Sequence, residues 1–253
     1  VERALWTKSY STFGRFTCPR CNRGKLREGK TPILREEPDH ITRELQYEGL
    51  IGEVSAGRFA GILKCNSKGC GEMVAVAGDY RTDYERQQDH QTGDEVLFSI
   101  HSYTPFCIRP APAIISFPKV LDKDIKPHML RAFELFWSDH GSCANRLRII
   151  VEMVLDQLGV PREGPKGKRR RTRWDLADRI TALDLLRPGH EEILNALRVV
   201  GNTGSHDGIV DFEDLLDSFE LLEYALIELL ERRREGLGEK ARRLIQGKGK
   251  PAP

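Results

Sequence analysis

Leu215-Leu216-Asp217-Ser218-Phe219-Glu220-Leu221-Leu222-Glu223-Tyr224-Ala225-Leu226-Ile227-Glu228-Leu229 decides how the C-terminal half of this chain folds. Leu215, Phe219, Leu222, Leu226 and Leu229 keep a strict 4-3-4-3 spacing, a narrow apolar stripe on one side of a helix. The surrounding stretch, residues 211–231, carries eight acids and no base, so the rest of that helix is an acidic rod. A stripe of this kind is expected in the core of a helical bundle, with a partner surface as the alternative.

The same period continues upstream. Met129, Phe133, Phe136 and Trp137 recur at helical spacing, and Leu147, Ile150, Val151, Val154, Leu155 and Leu158 do so more strongly until Gly159 and Pro161 stop the run. A short helix is expected over 175–186 and another over 191–200. Four or five such helices packed antiparallel make a bundle. Between them, residues 161–173 hold seven bases and one acid, and residues 232–250 swing back to eight bases against two acids. Lys166, Lys168, Arg169, Arg170, Arg171 and Arg173 are therefore candidate nucleic-acid contacts on a basic linker. The alternatives are a solvated surface and neutralisation of the acidic helix in cis.

The first half reads differently. Cys18-Pro-Arg-Cys21 and Cys65-Asn-Ser-Lys-Gly-Cys70 form two close pairs, with Gly69 and Gly71 supplying tight turns in the wider one. Four thiolates brought together by two such knuckles suit a structural Zn2+ ion, and they leave no open coordination position for catalysis. A redox-active pair is disfavoured because no βαβ pattern surrounds it, and a disulfide by the otherwise cytosolic composition. Alternating residues at 12–17, 59–64 and 73–76 place the knuckles between strands, the arrangement of a zinc ribbon. Further strands are expected at 96–100 and 113–117, edged by Pro105, Pro110, Pro112 and Pro118. Cys107 and Cys143 read as small buried residues, and His40, His90 and His101 as surface or core histidines. The fold class is α+β: a zinc-ribbon β domain over 1–118 and a helical bundle over 119–253.

With 253 residues, 39% of them hydrophobic, and 40 basic against 38 acidic side chains, the chain can bury a real core and is not disordered throughout. No window reaches the roughly 18 apolar residues of a membrane span and residues 1–10 lack a signal-peptide core, so the expected location is cytoplasmic. The chain opens on Val1 rather than Met, which leaves a trimmed leader open. No P-loop, dinucleotide fingerprint, nucleophile elbow or H-E-x-x-H helix is present.

The chemistry concentrates in Leu197-Arg198-Val199-Val200-Gly201-Asn202-Thr203-Gly204-Ser205-His206. If the helix runs through this stretch, Arg198, Asn202 and His206 stand at i, i+4 and i+8 on one face. A guanidinium, an amide and an imidazole would then line up to grip a phosphodiester and move a proton. Gly201 and Gly204 each cost about 1 kcal/mol in a helix. The helix can therefore end near Gly204, leaving His206 in a loop as a carbonyl cap. Arg148 and Glu152, four apart, can pair beside the bundle interior as supporting residues or as a structural ion pair.

Arg148-Ile149-Ile150-Val151-Glu152, Leu176-Ala177-Asp178-Arg179-Ile180, the segment 197–206 and Leu221-Leu222-Glu223-Tyr224 together resemble the "domain of unknown function 4145" family over about residues 119–232. A cysteine-rich ribbon in front is similar to its longer members. That family is similar in turn to the HEPN (higher eukaryotes and prokaryotes nucleotide-binding) helical bundles. The resemblance implies metal-independent ribonucleases, often homodimeric, of toxin–antitoxin, restriction and phage-defence systems. Their signature has an arginine followed by a polar residue, with a histidine four to six residues beyond the arginine. Asn202 and His206 match the last two, Gly201 stands in the arginine's place, and Arg198 lies one turn earlier, about 5.4 Å away. Two expectations follow. One is a ribonuclease-like effector in which His206 is acid or base, Arg198 stabilises the phosphorane and Asn202 positions the strand. The other is a silent module that binds nucleic acid, RNA before DNA, or a partner protein of such a system.

Overall fold

The computed structural model describes residues 1–13, 15–88, 95–167, 169–206, 208–231 and 233–246; of Gln87, Arg169 and 233–235 it describes the backbone alone. His90 and Lys168 lie outside the described residues. The architecture is mixed α+β, a curled antiparallel sheet followed by helices. It forms two compact units, one of residues 2–113 with 133–138, the other of residues 114–132 and 139 onward with Val1.

The N-terminal unit is built on a five-stranded sheet. β1 (Leu26–Glu28) and β2 (Leu34–Glu36) lie end to end along β3 (Val54–Cys65), with α1 (Asp39–Tyr47) between β2 and β3; β3 pairs β4 (Met73–Gln88), and β4 pairs β5 (Glu95–Arg109). Alternation drives this arrangement. Phe59, Leu63 and Cys65 of β3 and Val74, Val76 and Tyr80 of β4 point inward, while Arg58, Ile62 and Lys64 point out. Trp6, Tyr10, Phe13, Phe16, Phe59, Tyr103 and Trp137 form an aromatic core with ring centroids 5.1 to 6.2 Å apart along its contacts.

Two expected strands are absent. Among the described residues around 12–17 there are only isolated bridges, Tyr10 to Tyr103 and Thr17 to Lys25, and Phe13 and Phe16 turn their rings into the core. Residues 113–117 form no strand either. The nearby prolines remove ladder donors, and the Ser116 amide donates to the Glu223 carboxylate at 2.9 Å. Cys107, expected to be buried, is half-buried, whereas Cys143 is buried and its thiol donates to the Ala132 carbonyl.

The C-terminal unit comprises most of the helices: α2 (Lys126–Ser138), of which the first half belongs here, α3 (His140–Gln157), α4 (Leu176–Leu186), α5 (Glu191–His206), α6 (Phe212–Leu226) and α7 (Arg233–Gln246). Helix α3 packs against α4, α5 and α6. The apolar stripe of α6 is core: Leu215, Phe219, Leu222, Leu226 and Leu229 are all buried. Past Leu226 the helix widens into a π-turn (Ile227–Glu231), and the Leu229 carbonyl accepts from the Arg187 guanidinium at 2.7 Å. No described helix is long and apolar enough to cross a membrane.

The basic stretch expected as a linker is instead a hairpin, β6 (Glu163–Lys166) and β7 (Arg169–Arg173), with Gly167 in the left-handed region at the turn. The Trp174 ring lies over Gly164, where an added Cβ would sit 2.0 Å from the indole. Glycine is therefore required where the hairpin passes against the indole.

Candidate functional site

Two places in the molecule gather chemistry-bearing side chains. The first is the cysteine cluster. Cys18 and Cys21 sit on the turn before β1, Cys65 ends β3, and Cys70 lies on the turn into β4. The pairing of β1 with β3, Leu26 opposite Cys65, brings the two knuckles together. Their four sulfurs lie within 4.8 Å of one another, with Cys18 to Cys70 at 3.8 Å and Cys21 to Cys65 at 3.7 Å. A tetrahedron of sulfurs about 2.3 Å from a central ion has edges of about 3.8 Å. A disulfide would need about 2.05 Å. All four thiols are free, and they stand in the geometry of a metal site. Among the described residues no histidine or carboxylate joins them.

The backbone around the knuckles is shaped for this. The Gly24 amide donates to Cys21 Sγ at 3.3 Å and the Ser67 amide to Cys65 Sγ at 3.4 Å. An added Cβ at Gly24 would lie 2.4 Å from Cys65 Sγ, so glycine is required where the first knuckle passes under the second. Gly69 and Gly71 adopt positive φ at the wider knuckle. Amides of Gly24 and Arg23 pull the Cys21 thiol down to about 6 against desolvation. At Cys65 the Ser67 amide pulls down as well, but desolvation and the neighbouring thiols outweigh it and push the value to about 12. One thiol ionises readily and its neighbour resists, because clustered thiolates repel unless a cation sits among them.

The second place is the crossing of α3 and α5. Helix α5 runs unbroken through Gly201 and Gly204 to His206, so His206 ends the helix and does not stand in a loop. The glycines are what let the two helices touch. An added Cβ at Gly201 would lie 2.5 Å from Arg148 Cβ, and one at Gly204 2.4 Å from the Gly141 carbonyl oxygen. Both positions are buried. Packing offsets the intrinsic helix cost of these glycines. Arg198 and Asn202 are half-buried and His206 is exposed. The helix puts the three on one side, and no hydrogen bond joins them to one another. Arg198 Nε donates to Asn195 Oδ1 at 2.9 Å.

Helix α3 repeats the pattern. Arg148 Nε donates to Asn145 Oδ1 at 3.2 Å, and its Nη1 donates to Glu152 at 2.6 Å, the pair expected from their spacing. The stem of Arg148 fills the space over Gly201. An arginine therefore does stand beside position 201, contributed by the neighbouring helix.

The hairpin is less free than its composition suggests. Lys166 pairs with Asp178 at 2.6 Å and Asp175 at 3.3 Å, and Arg171 pairs with Glu163. Just before it, Arg162 pairs with Asp156. Arg170 and Arg173 are exposed and, among the described residues, have no carboxylate partner. Lys168 and the Arg169 side chain are not described.

With this geometry in hand, the comparisons bear on the helical half directly: residues 130–246 match the family model "Domain of unknown function (DUF4145)". This segment is a DUF4145 domain. Residues 7–106 match a second family model, "Domain of unknown function (DUF8608)". No curated protein and no solved structure matches the chain. The DUF4145 match takes in α3, the hairpin and α5, and thus Arg148, Glu152, Arg198, Asn202 and His206, the candidate site residues on the helices. Three features escaped that reading. Gly24, three residues after Cys21, had a local signal in its spacing. Asn145 and Asn195, each three residues before an arginine, share an N-x-x-R repeat visible only when both helices are compared. The Arg148–Gly201 contact had no sequence signal, because it depends on which helices cross.

Proposed function

We propose that the DUF4145 domain is a HEPN-like bundle that engages RNA along α5 and cleaves it without a metal ion, and that the N-terminal unit is a zinc ribbon held by Cys18, Cys21, Cys65 and Cys70. The observation that carries the first part is the continuous helix through Gly201 and Gly204. It sets Arg198, Asn202 and His206 on one stripe, with Arg148 standing over Gly201, where the superfamily signature has its arginine. Two guanidiniums can share the charge on a phosphate. The His206 imidazole can take the proton of a ribose 2′-hydroxyl. The 2′-oxygen then bonds to phosphorus as the bond from phosphorus to the 5′-oxygen breaks, and the departing oxygen takes a proton from water, leaving a cyclic phosphate and a 5′-hydroxyl. Asn202 orients the strand. The zinc ion would be structural, since four thiolates fill its coordination.

A second reading rests on a specific observation: Gly201 itself carries no side chain, and Lys166 and Arg171 of the hairpin are already paired within the domain. These favour a silent RNA- or protein-binding module of a defence, restriction or toxin–antitoxin system.

One experiment separates the two. Single-stranded and structured RNA is incubated, without added divalent ions, with the full chain and with His206→Ala and Arg198→Ala. Cleavage by wild type that falls about 100-fold or more in both variants supports catalysis. Equal cleavage by all three, or none by wild type, removes it. Binding that weakens steeply with salt would then support the RNA-binding module, and a flat salt response would point to a protein partner.

A further inference from the structure

The distal part of the β4–β5 hairpin is left half-built. Strand β3 begins at Val54, opposite Asp83. Beyond that point β4 and β5 continue as a two-stranded ribbon, Glu85 opposite Phe98 and Arg86 opposite Leu97. A ribbon of two strands is marginal in water. This one exposes Val96, Leu97, Phe98 and Ile100, each 38–58% accessible. Val96, Phe98 and Ile100 lie on one face, two residues apart. The outer edge of β5 is also bare. It is the last strand of its sheet, and among the described residues only Tyr10 covers it, at Tyr103. Natural edges are blunted by lysine, proline or bulges. Glu95-Val96-Leu97-Phe98-Ser99-Ile100-His101 has no lysine or proline, and the β4–β5 register shifts only at Ala77/Gly78.

The hydrogen-bond phase of this edge selects its partner. Tyr10 and Tyr103 exchange two main-chain bonds of 2.8 Å, so Tyr103 turns its N–H and C=O away from β4. With the register unbroken from Tyr103 to Glu95, His101, Ser99, Leu97 and Glu95 turn theirs outward as well. A second copy of this edge, antiparallel with its two-fold axis at Phe98, meets every one of those groups. Leu97 then faces Ser99 and Glu95 faces His101, each pair exchanging main-chain bonds. On the exposed face Val96 meets Ile100 and Phe98 meets Phe98, so each of the three apolar side chains lies opposite another. Glu95 also arrives beside a cation, because Arg35 Nη1 lies 3.1 Å from His101 Nδ1. Sliding the axis to Ser99 runs the partner's Glu95 into Tyr103, which Tyr10 already occupies. Sliding it to Leu97 carries Ile100 and His101 beyond the end of the partner strand.

We propose that this chain forms a homodimer by pairing β5 edge to edge about Phe98, which joins two ribbons into one four-stranded sheet. The full-length chain is measured by size exclusion with light scattering, as wild type and as Ser99→Pro. Proline at 99 removes an outward N–H and no bond to β4. Wild type is expected to run as a dimer, and the variant at half its mass with an unchanged circular dichroism spectrum. In parallel, Phe98→Cys is oxidised mildly. Opposed residues of a non-hydrogen-bonded pair have Cα atoms about 4.5 Å apart, within disulfide reach. A covalent dimer well above the wild-type background is expected, and none from Thr104→Cys on the same face. A monomeric wild type overturns the proposal, including one that captures another protein's strand. So does a dimer that a folded Ser99→Pro leaves intact, or one whose Phe98→Cys gives no cross-link beyond background.

Discussion

At the scale of single residues, Gly201 is the position where fold and chemistry compete. Its missing side chain is the space that Arg148 occupies, with Arg148 Cβ 2.5 Å and Cδ 3.2 Å from where a Cβ would stand. Adding one carbon there forces α5 away from α3 or drives Arg148 off its bonds to Asn145 and Glu152. Gly201→Ala is therefore expected to cost about 1–3 kcal/mol of stability, against the small gain in helix propensity. Urea denaturation compared with an exposed-site control such as Thr203→Ala would measure it. A neutral or stabilised Gly201→Ala would mean the crossing is looser than described. In the sequence only half of this was legible: the glycine stood out as a departure from the superfamily signature. Its physical reason was invisible, since the residue it accommodates lies 53 positions away.

At the scale of elements, α3, α4 and the segment leading into the hairpin are joined through one carboxylate. Asp156 accepts from Arg162 at 2.5 and 3.0 Å and from Arg179 at 2.7 Å, and Arg179, only 5% exposed, also donates to the Glu152 and Val160 carbonyls. The Arg162 hydrogen bond, followed by the Arg179 charge, holds the Asp156 carboxyl below its ordinary value. A depressed carboxylate stabilises the fold at every pH above its unfolded value, near 3.9, and that contribution disappears as pH falls through the folded value. Stability is thus expected to decline below about pH 4. Asp156→Asn should flatten that decline and cost about 3 kcal/mol at neutral pH by leaving a buried guanidinium without its charge partner. Chemical denaturation of both proteins from pH 2 to 7 checks the two effects together. Helices with strong apolar periodicity, such as α3 and α6, were legible because the signal is local and repeated. The hairpin was not, because its bases mask the turn at Gly167 and its pairing depends on Asp175 and Asp178 of a later helix. The strand expected at 113–117 failed for the converse reason: an apolar run was present, but Pro112 and Pro118 close it off at both ends and the Ser116 amide goes to the Glu223 carboxylate instead of a neighbouring strand.

At the scale of the whole molecule, the two compact units rest on different physics. The helical unit has a continuous apolar core, whereas the sheet unit adds to its aromatic core four thiols clustered within 4.8 Å, a geometry compatible with a metal ion. A metal bound there links folding of that unit to ion supply. A chelator is expected to lower the melting temperature of the sheet transition by many degrees and leave the helical transition in place. Calorimetry with metal analysis would show this, and Cys18→Ser should reproduce the chelated profile. A melt indifferent to chelation, with no bound metal in the purified protein, would remove the ion from the account. Cysteine spacing made this cluster legible from the sequence, since two knuckles of the right width are a local pattern. The free edge of β5 was not, because an edge exists only once the strand order is known. Sulfur is also unevenly shared: five of the six cysteines belong to the sheet unit, and the sixth, Cys143, is sealed inside the helices. Peroxide would accordingly meet the thiols asymmetrically, reaching half-buried Cys21, Cys70 and Cys107 of the sheet half while the one among the helices stays sealed.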